Sequence, residues 1–235
     1  MAPQRMNFLS FKDSTRKLAA ADSVAVIGLG RFGTSLALEL METGTEVLGV
    51  DINEDIVQAL NGRLTQVVRA DSTKPETLEQ LTIGEFDRVV VAVGSDIKVS
   101  ILTASLLLQL GVPVVWAKAD DEQHAIILDQ LGVHRVLSPE RDMGRRVAHL
   151  VRGAAADYLE IDPGYAMVKT AAPREVQGMT LREAGVRARH QITVAAYRAD
   201  SGQWRNAEAD TVLQAGDTVL VVGPTARVEA FAQLR

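Results

Sequence analysis

Val24-Ala25-Val26-Ile27-Gly28-Leu29-Gly30-Arg31-Phe32-Gly33 is the stretch whose reading decides the fold. The apolar run at its start reads as a buried strand, the glycines as a tight turn, and Arg31-Phe32-Gly33 as the first turn of a helix. Gly28 permits the sharp turn. Gly30 lets backbone N–H groups approach a phosphate with no Cβ between them. Gly33 lets the helix pack closely on its strand. A helix N-terminus so placed offers unpaired N–H donors and a partial positive charge to an anion. A G-x-G-x-x-G alone is a weak signal. Here it is succeeded by Glu46-Val47-Leu48-Gly49-Val50-Asp51, a second strand ending in an acid about 20 residues on, where a ribose hydroxyl is read. The context predicts a nucleotide-binding fold. Gly28, Gly30, Arg31, Phe32 and Gly33 are the candidate contacts in the turn, with Asp51 and Ile52 at the end of the second strand.

Outward from this turn the pattern is regular. Apolar strand-like runs fall near 24–28, 46–50, 66–70, 88–93, 113–117 and 134–137, with helical patterns near 31–43, 53–61, 75–82, 96–110 and 121–131. Such alternation predicts an α/β fold with a Rossmann-like, doubly wound parallel sheet covered on both faces. Ligands of open α/β sheets sit at the carboxyl ends of the strands. The residues there are Gly28, Asp51, Asp71, Gly94, Lys118 and Ser138. Asp71 with Ser72 could hydrogen-bond a base or ribose, and equally Ser72 or Thr73 could cap a helix with Pro75 in its first turn. Gly94 is read either as closing over phosphates or as the start of the next helix. Lys118 is read either as a phosphate partner or as a solvated lysine. Arg31 lies inside the glycine turn, where a guanidinium pairs bidentately with phosphate oxygens. The alternative is a side chain splayed into solvent.

Composition narrows the function classes. The chain has 235 residues, 47% hydrophobic and 23% charged, with net charge −5 and no cysteine. That balance argues against a broad nucleic-acid surface, and no nucleic-acid partner is expected. Thiolate metal sites and disulfides are excluded. No apolar run reaches the length of a membrane span, so a membrane role would pass through a partner.

The segment 97–110 is apolar on nearly every side, which points to burial of more than one face and to a homo-oligomer. Ser138-Pro139-Glu140-Arg141-Asp142-Met143-Gly144 opens a further helix with an apolar stripe of Met143, Val147, Leu150 and Val151. After residue 158 the grammar changes. Strands are expected at 167–171, 192–197 and 218–222, a turn and short helix at 174–181, a tight turn at 214–217 and a terminal helix at 225–234, a small α+β module of about 75 residues. The expected layout is a disordered tail over 1–21, a nucleotide-binding domain with its terminal helix over 22–152, and the small domain over 158–235. Within the tail, Met6, Phe8, Leu9 and Phe11 interleave with Arg5, Lys12, Arg16 and Lys17, and the alternative there is a short amphipathic docking segment.

No catalytic constellation stands out. His124, His134, His149 and His190 form no metal pair, and there is no G-x-S-x-G turn or Walker lysine motif. Glu140, from its own surroundings, reads as an acid at a helix start. A nucleotide fold joined to so small a module favours a binding sensor over an enzyme. A small NAD(P)-dependent oxidoreductase is the alternative, and hydride transfer from NADH to a carbonyl would mark it. A nucleotide-linked transcriptional regulator is a third reading, without a legible helix-turn-helix.

Three motifs occur together, in order: 26–33, then Gly49-Val50-Asp51-Ile52-Asn53, then Ser138 to Gly144. With them the chain resembles the RCK (KTN) gating subunits of Ktr/Trk-type bacterial potassium transporters, KtrA-like members above all, over about residues 22–235 and without the tail. The resemblance implies a nucleotide lobe and, after it, an RCK_C (TrkA_C-like) lobe. It implies dimers assembled into an octameric ring under a KtrB/TrkH-like membrane channel, at the inner face of the cell membrane. It implies ATP as the activating and ADP as the inactivating ligand, with NAD/NADH for related forms. It assigns phosphate contact to Arg31, ribose contact to Asp51 and a nucleotide contact to Lys118. Glu140 becomes a dimer-interface ligand for a divalent cation or Na+. Cyclic di-AMP is implied for the second lobe of some relatives, with no motif here to carry it.

Overall fold

The computed structural model describes Thr15, Leu18 and residues 22–153, 155–199 and 202–234. Its contacts divide the chain into two compact units, with the division between Pro139 and Glu140.

The first unit alternates strand and helix as expected: β1 (Ser23–Ile27), α1 (Arg31–Glu42), β2 (Glu46–Asp51), α2 (Glu54–Leu60), β3 (Gln66–Arg69), α3 (Pro75–Gln80), β4 (Arg88–Val91), α4 (Ile97–Gln109), β5 (Val114–Lys118), α5 (Glu122–Gln130) and β6 (Arg135–Leu137). The strands form one parallel sheet in the order β3-β2-β1-β4-β5-β6. Successive side chains of a strand point to opposite faces, and both faces here are apolar. Val24, Val26, Val47 and Val90 pack with Ala37 of α1 and Leu60 of α2. Ala25, Ile27, Leu48, Val89 and Val91 pack with Leu78 of α3, Leu107 of α4 and Leu128 of α5. This two-sided burial is why the strands read as nearly continuous apolar runs. The tail expectation falls on residues outside the described ones, apart from Thr15 and Leu18. Both of these are helical and buried, and Leu18 joins the core.

Helix α4 turns Ser100, Thr103, Ala104 and Leu107 inward. Leu106 and Leu108 are partly buried against the same core. Leu102 remains 41% exposed, and Ile126 and Ile127 of the adjoining α5 are 51% and 39% exposed.

The second unit opens on α6 (Pro139–Arg152) and continues β7 (Asp157–Asp162), β8 (Tyr165–Ala171), α7 (Leu181–Ala184), α8 (Val186–His190), β9 (Thr193–Arg198), β10 (Trp204–Asn206), β11 (Thr218–Pro224) and α9 (Thr225–Ala232). Its sheet is antiparallel, in the order β10-β9-β11-β8-β7. Two of these strands, β7 and β10, go beyond the sequence expectation. Residues 153–157 read as a loose exit from the helix, yet β7 begins at Asp157, and the Ala156 N–H already donates to Lys169 O (2.7 Å). Both unexpected strands are sheet edges with mostly exposed residues, so neither shows an apolar run. Helix α6 is tied to this unit by Arg146 on Asp157 (2.6 Å), by His149 paired with Glu229, and by the His149 ring stacked on Tyr158 at 4.0 Å.

Candidate functional site

Strands β1 and β4 lie side by side, and their helices leave to opposite faces of the sheet. A crevice at the carboxyl ends of such a pair is where doubly wound folds take ligands. The glycine turn fills one wall of it. Gly28 has φ +92, and a Cβ there would lie 2.6 Å from the Val93 side chain. A Cβ on Gly33 would lie 1.9 Å from Gly28 O, so α1 seats on β1 only with glycine at this position. Gly30 differs from both. It is the N-cap of α1 at φ −65, and a Cβ on it would meet no atom of the described residues within 4 Å. No side chain caps α1 and no acid stands in its first turn. The first intrahelical bond runs from Thr34 N–H to Gly30 O (2.9 Å). The N–H groups of Arg31, Phe32 and Gly33 therefore have no intrahelical acceptor. Turn and helix end together form a cradle for an anion.

Arg31 is exposed at the head of this helix, without an ion-pair or hydrogen-bond partner among the described residues. The Phe32 ring packs against the core, which leaves its backbone for a ligand. Asp51 accepts the Leu29 N–H at 2.6 Å through one oxygen and the Asn53 N–H at 2.8 Å through the other. It thus staples the glycine turn to β2, and each carboxylate oxygen keeps a further lone pair for a hydroxyl donor. Ile52 is 64% exposed beside it. Asp51→Asn leaves one acceptor oxygen for two N–H groups. Urea denaturation is expected to show a stability loss of about 1–3 kcal/mol, and an unchanged midpoint would remove the staple role.

Asp71 and Ser72 part company. Asp71 accepts the Thr73 N–H (3.0 Å) and hydroxyl (2.6 Å), and Lys74 stands at 3.4 Å. The Thr73 hydroxyl first, then its N–H, hold the Asp71 carboxyl below its ordinary value. Ser72 is buried, with its hydroxyl 2.9 Å from Thr103 Oγ1 on α4, so that group faces the core and not a ligand. The capping alternative is corrected as well. Pro75 does occupy the first turn of α3, but the N-cap is Lys74 and no side chain caps the helix. Gly94 and Lys118 are brought together. Lys118 is only 9% exposed, and a Cβ on Gly94 would lie 2.9 Å from its Nζ. Glu140 lies in the second unit, in the first turn of α6, where acids complement the helix dipole. Among the described residues no three His, Cys, Asp or Glu side chains group as a metal site.

One residue near this edge escapes sequence reasoning, which weighs His124 only as a metal ligand. It is fully buried at the start of α5, where its Nδ1 accepts the Asp120 N–H (3.2 Å) and its own backbone N–H donates to Asp121 Oδ1 (2.7 Å). The signal is the Asp-Asp-x-x-His spacing, which has the form of a helix cap. The second unit carries a groove of about 500 Å³ between α7, α8 and β9, with Arg182, Arg187 and Glu208 among its lining residues.

The family models that match are the TrkA-N domain over residues 24–139 and the TrkA-C domain over 166–234. The chain is 36% identical over 208 residues to Ktr system potassium uptake protein C of Bacillus subtilis (strain 168), covering 88% of this chain and 94% of the relative. It is 35% identical to Ktr system potassium uptake protein A of Vibrio alginolyticus, covering 85% and 91%. Its fold is similar to that of the GsuK channel bound to NAD, with TM-score 0.63 and 16% identity over 89% of this chain and 38% of that one.

Proposed function

We propose, for a chain that belongs to the TrkA-domain family of Ktr and Trk potassium uptake proteins, a role as nucleotide-sensing regulatory subunit of such a system. Its ligand is an adenine nucleotide held on the glycine turn and the N-terminus of α1. The observation that carries this reading is the open space at Gly30 beneath the uncapped N–H groups of α1, with Arg31 beside it. Phosphates take those N–H groups, Asp51 takes the ribose, and Lys118 adds charge from β5. NAD would use the same glycines and the same acid. What favours ATP and ADP is Arg31, a cation suited to a terminal phosphate. NAD or NADH is the runner-up ligand, and the GsuK channel of similar fold is described as bound to NAD.

ATP and ADP act as opposing effectors, ATP favouring the conducting state. A ligand shifts a two-state assembly only by its differential affinity for the two states. The one group that separates these two ligands is the γ-phosphate, so Arg31 is the discriminating residue. No helix of the described residues is long and apolar enough to cross a membrane, which fits a subunit that acts through a channel partner. The exposed Leu102, Ile126 and Ile127 on the packed helices α4 and α5 support self-association, and dimers closing into an octameric ring are the expected form. Glu140 supplies one ligand of a cation site completed by a second copy and by phosphate oxygens. The groove beside Arg182 and Arg187 is a candidate place for cyclic di-AMP. The chain carries out no chemistry in this reading.

Thermal shift against ATP, ADP, NAD and NADH, with particle mass by light scattering in parallel, tests the proposal. Saturating ATP and ADP are expected to stabilise the protein by a few kcal/mol, and the mass to be that of a closed ring. Stabilisation by NADH alone, with turnover of a carbonyl substrate, would replace the sensor with an oxidoreductase.

A further inference from the structure

We propose that His124 is a positioning residue for the nucleotide site: as a neutral acceptor for the Asp120 N–H it fixes the β5–α5 turn that directly follows Lys118, so that nucleotide affinity depends on the protonation of His124. The inference rests on the nucleotide reading above and deepens it.

The turn is closed by a reciprocal pair. Asp121, the N-cap of α5, accepts the His124 backbone N–H (2.7 Å), and the His124 ring accepts the N–H of Asp120, the residue before the cap (3.2 Å). This resembles a capping box, with an imidazole where a glutamate or glutamine ordinarily returns to the backbone. Between Lys118 and Asp120 the Ala119 N–H donates to Leu137 O (2.7 Å). Lys118 itself lies against Gly94 at the strand ends. The chain next to this lysine is therefore anchored twice, by β6 at Ala119 and by His124 at Asp120.

The tautomer follows from the hydrogen bond. With Nδ1 accepting, the neutral ring carries its hydrogen on Nε2. That Nε2 is buried and has no partner among the described residues, and the residue has no exposed surface. An apolar side chain would fill the same space without an unpaired N–H. What leucine lacks is the acceptor for Asp120, and the acceptor is therefore the role of the imidazole.

A second proton can enter only at Nδ1. It turns the acceptor into a donor facing another donor, and the turn must give way. Burial resists this and keeps the ring below its ordinary value, while the charges of Asp121 and Asp120 work in the opposite sense. The other charged residues of the surrounding elements are Glu122 and Asp129 on α5, Arg135 on β6 and Lys98 on α4, all exposed, and Lys118 on β5. His134, whose Nδ1 accepts the Val115 N–H (3.0 Å), precedes β6. The sign is fixed: affinity is level at neutral pH and falls in acid as the ring takes up its proton.

The test is ADP calorimetry on the full chain from about pH 8 to about pH 5, spanning the imidazole range, for wild type, His124→Asn and His124→Leu. Asparagine keeps an acceptor near the Nδ1 position and has no proton to gain. His124→Asn is expected to bind like wild type at neutral pH and to lose the acid-side fall. His124→Leu is expected to bind about three- to tenfold more weakly at every pH, the scale of one lost hydrogen bond. Titration of the ligand phosphates is common to all three proteins and cancels in the comparison. Superimposed pH profiles for wild type and His124→Asn overturn the inference while the nucleotide reading stands. A wild-type protein that binds no nucleotide at any pH overturns both. If His124→Leu fails to fold, the comparison of wild type with His124→Asn decides alone.

Discussion

Replacing Gly30 with alanine is expected to leave the fold intact and to weaken adenine-nucleotide binding by more than about tenfold, or about 1.4 kcal/mol. The three glycines of the turn separate by what surrounds them. At Gly30 the backbone is one that alanine adopts, and the added Cβ meets no atom of the described residues within 4 Å. Stability should therefore stay within about 0.5 kcal/mol of wild type. In the proposed site the same Cβ would stand between a phosphate and the N–H groups of α1. Gly33→Ala is the contrasting case. Its Cβ would lie 1.9 Å from Gly28 O, so strand and helix must separate, with a loss of about 3 kcal/mol or more. Urea denaturation and calorimetry run side by side on the two variants distinguish ligand space from packing space. A Gly30→Ala protein that is stable and binds nucleotide at wild-type strength would place the phosphates elsewhere.

Arg31→Ala is expected to bring the affinities for ATP and ADP together, chiefly by weakening ATP. A fork of charge-assisted hydrogen bonds to a terminal phosphate is worth about 1.5–3 kcal/mol, or roughly ten- to a hundredfold in affinity. Arg31 is exposed and has no protein partner among the described residues, so its removal should leave stability nearly unchanged. Arg31→Lys should recover only part of the preference, because an ammonium cannot make the fork. An ATP-to-ADP affinity ratio that survives Arg31→Ala would end its role as the group that distinguishes them.

The parallel sheet is legible in the sequence because burial on both faces writes each strand as an apolar run. The helices between them are legible because most pack one stripe on that sheet, while α4 is apolar on nearly every side. The glycine turn is legible because its constraints are steric and local. Edge strands β7 and β10 are not, since they bury little and their pairing is with distant residues. Within the site, Asp51 stands out for its placement, but its double hydrogen bond to Leu29 and Asn53 does not. Ser72 illustrates a different failure. Sequence puts it at the end of a strand, and only packing turns its hydroxyl toward Thr103. His124 is legible only in part, because the Asp-Asp-x-x-His spacing marks a helix cap without saying which backbone N–H the ring nitrogen accepts.

The central claim is that a polyphosphate rests on the N-terminus of α1 and is read there by its charge. Equilibrium titration calorimetry of the full chain with ATP and with ADP tests it most directly. Saturable binding of both, with ATP the tighter, is the predicted result. The absence of binding heat for either nucleotide, at concentrations far above the micromolar range, would contradict it.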